Sequence, residues 1–467
     1  MIIVDPSFKI LDILEFKKFC VCAGFTLTNK NKLVFMLIPA FVVEGVTFFI
    51  SMLDAIPPLV WLTLGTGLVV SFLVYAVLVP PKPVSRALTQ PDQIFLATQY
   101  SPEYRLSDES DFHLLLICNP IGGNGQGLRL CELIVQPMLR VANIRYELIV
   151  TESGSHAYEL ATELDPEEYS GVAVIGGDCL LHEVINGLFH LCKADVHDFE
   201  EMLRTLPVGI IPTGGGNDGL ANSLGLSNAY VATKRLIDSI VETKYRKLNL
   251  YSVERVINPV ISGGETSSLN LSSTGVGAFD FHLTTWGLLA DIELSIQRDL
   301  TRFPKPVRYF LAIVKTLLNL QPKFGSITMR VNAPVHPELV GKGLPEVDPK
   351  ILTISGAFSM VTVSNVSHWK REAIIDPDAR PDDGRLSVMV VRHCSRWNFL
   401  RTLVAMETGS HVSLPWVSTY RCSEVVLINE TGEANICGYG EAELDSRINK
   451  TDGIRFRSNL VTANIMC

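Results

Sequence analysis

Three apolar runs in this chain each end abruptly in glycine: "FHLLLICNPIGGNGQG" from 112, "SGVAVIGGDCLLHEVINGLF" from 170 and "LPVGIIPTGGGNDGL" from 206. The runs are short, uninterrupted by charge and rich in branched side chains, as strands buried on both faces are. Between them lie stretches with helical apolar spacing, "LRLCELIVQPMLRVANI" and "CLLHEVINGLFHL", and one further strand–helix pair, "RYELIVTE" and "SGSHAYELATEL". Strand, loop and helix repeating at this interval predict an α/β domain with a parallel sheet over 111–247. Few other arrangements bury such runs.

In an open parallel sheet the loops after successive strands gather along one edge, where ligands bind. Glycine there lets backbone N–H groups approach phosphate oxygens, and the following helix N-terminus favours negative charge. Three such loops, 119–125, 176–179 and 212–218, predict a phosphate site. No G-x-x-x-x-G-K-[ST] is present, and "GGNGQG" is not a convincing dinucleotide fingerprint. A carboxylate, Asp178, stands among the glycines. Beside phosphate it serves a magnesium ion or takes a proton from an attacking hydroxyl, which predicts phosphoryl transfer to an alcohol.

From about Leu248 the pattern changes to many short alternating strands, among them "LNLYSVERV", "GSITMRV", "KILTISGAFSMVTVSNV", "GRLSVMVVR" and "IRFRSNL", with helical stretches at "FPKPVRYFLAIVKTLLNL" and "WNFLRTLVAMETG". This predicts a mostly antiparallel, sandwich-like β domain over 248–467. Upstream, 80–110 reads as a Pro-rich, polar linker and 1–32 as a small preamble. Between them, 33–53 and 59–79 are two apolar runs of about 21 residues each, near the ~20 a membrane-crossing helix needs. Glu44 is the objection, at ~2.5–3.5 kcal/mol for a charge at mid-bilayer. With Lys30, Lys32, Lys82 and Arg86 flanking the runs, 33–79 predicts a transmembrane hairpin with both ends cytosolic. The alternative is a buried soluble hairpin. A net charge of −9 argues against a nucleic-acid partner. Ten cysteines without metal-ligand spacing read as reduced thiols.

The loops "NPIGGNG", "GGDCLLHEVINGL" and "GIIPTGGGNDGLANSLG" resemble the lipid kinases of the diacylglycerol and sphingosine kinase superfamily. In the second half, "WGLLADIELSIQRDLTRF", "VSNVSHW", "DPDARPDDGRLSVMVVR" and "LRTLVAMETGSHVSLPWV" resemble sphingosine (long-chain base) kinases. The resemblance covers 111–467. It implies an NAD-kinase/diacylglycerol-kinase-like α/β domain followed by a β-sandwich lipid-binding domain, using ATP and Mg2+ on a sphingoid-base lipid at the membrane. Asp178 would be the general base. Asn119, Gly122, Gly123, Gly125, Thr151, Gly176, Gly177, Gly214, Gly215, Gly216 and Asn217 would hold the nucleotide, with Arg302, Arg308, Gly440 and Glu441 joining from the second domain. Glu183 would support the second loop. Asp291 and Glu293 would hold the amino and hydroxyl head of the base, since a cationic headgroup needs an anion. Leu288, Ile292, Tyr309, Leu403, Met406 and His411 would line the acyl tunnel. The metal ligands are left unassigned.

The sequence departs from the family at three places. Asn124 replaces a basic residue, Tyr439 replaces the aspartate before Gly440-Glu441, and Cys179 replaces the glycine after Asp178. If the backbone at Cys179 needs positive φ, a side chain there costs roughly 1 kcal/mol and obstructs the nucleotide; if φ is negative, the cost is small. A sphingosine kinase is the leading expectation. A diacylglycerol or ceramide kinase and a catalytically dead lipid-binding relative are the alternatives.

Overall fold

The computed structural model describes residues 89–102, 105–107, 110–216, 218–256, 276–300, 302–303, 305–331, 350–371, 373–438 and 447–467. The chain divides into two units, Met1–Lys82 and Pro83–Cys467, and every described residue lies in the second. Its first half is built on four parallel strands: β1 (His113–Cys118), β2 (Arg145–Val150), β3 (Gly171–Gly176) and β4 (Val208–Pro212), in the order β2–β1–β3–β4. The strands β1, β3 and β4 are buried along their whole length, which is why they read as unbroken apolar runs, whereas β2 at the sheet edge exposes Arg145 and Glu147. Register is fixed by pairs such as Leu116↔Leu148, Leu116↔Ala173 and Val174↔Ile210. The helices His156–Thr162, Asp178–Leu191, Val196–Thr205 and Ala229–Val241 follow or connect these strands.

The second half is mostly antiparallel. Its strands are β5 (Arg246–Val256), β6 (Ala278–Asp280), β7 (Leu283–Gly287), β8 (Lys323–Val331), β9 (Lys350–Ser364), β10 (His368–Lys370), β11 (Ala373–Ile374), β12 (Leu386–Arg392), β13 (Val417–Asn429), β14 (Ala434–Cys437), β15 (Arg447–Ile448) and β16 (Gly453–Met466). The last of these joins the halves. Its N-terminal part pairs antiparallel with β5 and β13, and its end pairs parallel with β4 through Ile465↔Val208. One 14-stranded sheet results. Three helices pack with the β-rich half: Leu288–Leu294, Lys305–Leu318 and Arg396–Ala405.

Two expectations from the sequence are corrected. Within the stretch read as linker, Gln90–Thr98 is a helix, started by a capping box in which Thr89 and Asp92 exchange side-chain-to-backbone hydrogen bonds, with Pro91 in its first turn. The predicted integral-membrane localisation is not upheld: among the described residues no helix is long and apolar enough to cross a membrane. The apolar runs at 33–79 that suggested it lie outside the described residues. The described cysteines are all free thiols.

Candidate active site

The sheet edge brings the three glycine loops into contact. Asn119, at the end of β1, donates its backbone N–H to Ile175 O (3.0 Å), and its Cβ lies 3.7 Å from where a Cβ on Gly176 would sit. Gly123 has φ +61, and a Cβ there would stand 2.0 Å from Thr213 O, so only glycine fits between the first and third loops. A Cβ on Gly215 would lie 3.2 Å from Gly123 N, and Gly214 and Gly216 hold φ +79 and +95. Thr151 caps the end of β2 by donating its N–H to Cys118 O (2.9 Å). A cavity of about 230 Å3 opens beside this cradle, lined in part by Gln90, Gln126, Thr213, Gly214, Asp218 and Arg371. Gln90 comes from the added helix and donates to Gln126 (3.0 Å), behind the first loop. Backbone N–H groups, glycines at positive φ and an arginine form a set suited to phosphate groups.

Asp178 opens the helix Asp178–Leu191 directly after Gly177. Its carboxylate is fully buried and accepts backbone N–H bonds from Gly219 (2.6 Å) and Leu220 (3.3 Å). His282 Nε2 lies 3.2 Å from the same oxygen. Burial raises the Asp178 pKa well above the usual carboxylate range. Asp218 and Asp280 add to the rise, against the two N–H bonds. Burial pushes His282 down to about 4, so at neutral pH it is an uncharged partner. The second half of the chain delivers this histidine. Asn186, on the Asp178 helix, pairs both ways with the Phe279 backbone (2.9 Å each), and Asp280 accepts the N–H groups of Phe281 (2.6 Å) and His282 (2.8 Å). A Cβ on Gly219 would fall 2.1 Å from His282 Nε2, which makes that glycine obligatory for close approach.

Cys179 is the second residue of the same helix and is absent from the positive-φ positions. The backbone there therefore does not require glycine, and the strain foreseen as one possibility does not arise. Glu183, one turn on, accepts the N–H of Ala157 at the start of the neighbouring helix. Burial lifts its carboxyl to about 7.

The remaining predicted residues divide. Leu288, Ile292, Tyr309, Leu403 and Met406 share one hydrophobic cluster. His411 is fully buried, with Nε2 2.8 Å from Ile375 O. Asp291 and Glu293 fall in the helix Leu288–Leu294, where residues two apart do not face each other. Each has its own partners. Asp291 accepts from Asn435 (2.6 Å) and lies 3.8 Å from Lys323; Glu293 pairs with Lys370 (2.6 Å). Arg302 is exposed and Arg308 donates to Phe303 O (2.7 Å), while the arginine lining the cavity is Arg371. Asn217, Tyr439, Gly440 and Glu441 lie outside the described residues. Sequence reasoning missed His282, Asp218, Lys370 and Arg371. Asp218 was legible beside the third glycine loop, and Lys370-Arg371 directly follow "VSNVSHW", but nothing local marks His282.

Residues 113–253 match the diacylglycerol kinase catalytic domain, and 287–450 match the YegS C-terminal NAD kinase beta sandwich-like domain. Sphingosine kinase 1 of Arabidopsis thaliana is 25% identical over 67% of this chain, which spans 64% of that protein's length. Sphingosine kinase 1 of Homo sapiens is 29% identical over 68% of this chain and 80% of its own. Ceramide kinase of Homo sapiens is 26% identical over 62% and 57%. The two domain matches follow one another in the order of the two halves of the fold, and the first begins at β1 and takes in all three glycine loops. This chain belongs to the diacylglycerol kinase catalytic-domain superfamily.

Proposed function

We propose that this protein transfers the γ-phosphoryl group of ATP to the primary hydroxyl of a sphingoid lipid. The observation that carries the reading is the convergence of three glycine loops into one cradle, with Asp178 at the start of the adjoining helix. The hydroxyl oxygen attacks the γ-phosphorus, its proton passes to Asp178 and ADP leaves. A carboxyl with a raised pKa suits that proton transfer. Because Gly219 and Leu220 cover the carboxylate, the turn they begin must move for a lipid to reach it. Arg371 would offset charge on the transferring phosphoryl oxygens. Magnesium supplies further charge neutralisation when bound with ATP. Among the described residues no cluster of three or more acidic, histidine or cysteine side chains forms a metal cage, so the nucleotide's own phosphates would be its principal ligands, with Asp218 the carboxylate on the cavity wall.

Sphingosine is the acceptor implied by the resemblance, and its product would be sphingosine 1-phosphate. An N-acylated sphingoid, a ceramide, carries the same primary hydroxyl, and the ion pair between Glu293 and Lys370 favours it as a second reading. The test is phosphorylation of each lipid in mixed micelles by the purified protein with Mg-ATP, with product read by mass spectrometry. Phosphorylation of either is expected, with Asp178→Asn lowering turnover about a hundredfold or more while ATP binding persists. ATP binding without phosphorylation of either sphingoid or of diacylglycerol would overturn the kinase in favour of a lipid-binding relative.

A further inference from the structure

Lys370 sits in a cage built for an ammonium ion. Its Nζ lies 2.6 Å from Glu293 Oε1 and 2.6 Å from the Tyr309 hydroxyl, 4.2 Å from the Trp369 ring centroid and 4.4 Å from that of Tyr309. An anion and two aromatic faces form the environment used to recognise cationic headgroups, yet here the chain fills it with its own lysine. Both charged side chains of the pair are mostly shielded from solvent, at 14% and 12% exposure. Burial alone would lower the lysine pKa; Glu293 and Tyr309 outweigh it and keep the ammonium above its ordinary value. The other carboxylate on this helix, Asp291, faces Lys323 and Asn435 instead.

The cage stands where a lipid headgroup belongs in the reading above. Tyr309 and Trp369 pack against the hydrophobic cluster that holds Leu288, Ile292 and Met406. On the opposite side, Arg371 lines the cavity at the glycine loops. The carbonyl oxygens of His368 and Trp369 crowd Gly219, whose N–H holds Asp178. One short strand thus runs between the apolar cluster, the cage and the proposed phosphoryl acceptor site.

We propose that Lys370 is a specificity-determining residue that takes the place of a substrate amine, so that the acceptor is an N-acylated, uncharged sphingoid headgroup and free long-chain bases are disfavoured. This rests on the sphingoid-kinase reading. A second ammonium brought to Glu293 meets Lys370 as a like charge in a shielded site, or must expel it. An amide presents no such charge. Of the three N–H donors of Lys370, Glu293 and Tyr309 take two, and the third can serve a lipid carbonyl or hydroxyl oxygen.

The experiment compares kcat/KM for a short-chain ceramide and for sphingosine in the same mixed micelles, in wild type, Lys370→Met and the doubly neutral Lys370→Met/Glu293→Gln. Wild type should prefer the ceramide at least tenfold, ~1.4 kcal/mol. Lys370→Met should raise activity toward sphingosine and cut the preference about tenfold or invert it, with the KM for ATP unchanged. The double variant, which leaves no unpaired buried charge, should accept both lipids within a few-fold. Preference of wild type for sphingosine, or an unchanged ratio in whichever variant folds, would overturn the proposal. If wild type phosphorylates neither lipid, the kinase reading fails instead. Binding of the two lipids from micelles without ATP then reads Lys370 alone, and stronger capture of sphingosine by wild type would sink it.

Discussion

Asp178 and Cys179 are adjacent, and their surroundings ask opposite things of them. Asp178 is held by two backbone N–H groups and a histidine from the other half of the chain, so its position depends on tertiary contacts. Cys179 is governed by its helix. Glycine would lower helix propensity there without relieving any strain, because no positive φ is present. Cys179→Gly should therefore cost up to about 1 kcal/mol of stability and leave turnover no higher than wild type, as thermal melts and lipid kinase assays would show. A gain in activity would mean that the thiol obstructs the nucleotide after all. The carboxylate pair taught a different lesson. The resemblance implied that Asp291 and Glu293 together hold a headgroup; on their helix the two meet separate partners within the chain.

Between elements, the helices His156–Thr162 and Asp178–Leu191 cross at close range. A Cβ on Gly187 would lie 2.5 Å from that of Ala161. Glu183 links the same two helices through the Ala157 N–H, and burial holds its pKa at about 7 against an ordinary 4.5. The folded state therefore binds more protons than the unfolded state between those values. Stability attributable to this group falls as pH rises from about 4.5 to 7, then levels off. Glu183→Gln keeps an acceptor for Ala157 but removes the charge. Discounted for partial exposure, it should stabilise the protein by on the order of 1 kcal/mol at pH 8 and by almost nothing at pH 4.5. Denaturant titrations at the two pH values check this. A stabilisation equal at both would place the effect elsewhere.

At the scale of the whole described fold, β16 carries the connection between the halves. Its first residues, Gly453–Arg457, pair with β13, β5 runs beside it from Gly453 to Ile465, its end completes the parallel sheet beside β4, and Ile465 is fully buried in the α/β core. Residues of both halves, including Leu248, Phe279 and Val461, belong to that same core. Ile465→Ala should cost roughly 2–5 kcal/mol and lower the melting of both halves together in calorimetry. Two well-separated transitions, with only the first shifted, would show that the halves unfold independently.

What the sequence by itself determined was local. Uninterrupted apolar runs specified β1, β3 and β4, because strands covered on both faces leave no room for alternation. The glycines marked loops of close approach, and the structure shows backbone meeting backbone there, as at Gly123 against Thr213. Helical spacing likewise foretold the segments containing Tyr309 and Leu403. The tertiary structure alone decided which side chains share a site. His282 reaches Asp178, and Lys370 reaches Glu293 and Tyr309, across long sequence separations. No periodicity encodes such contacts: they arise when β6 docks on the Asp178 helix and β10 on the turn at Gly219, and those dockings are set by close packing of the assembled sheet.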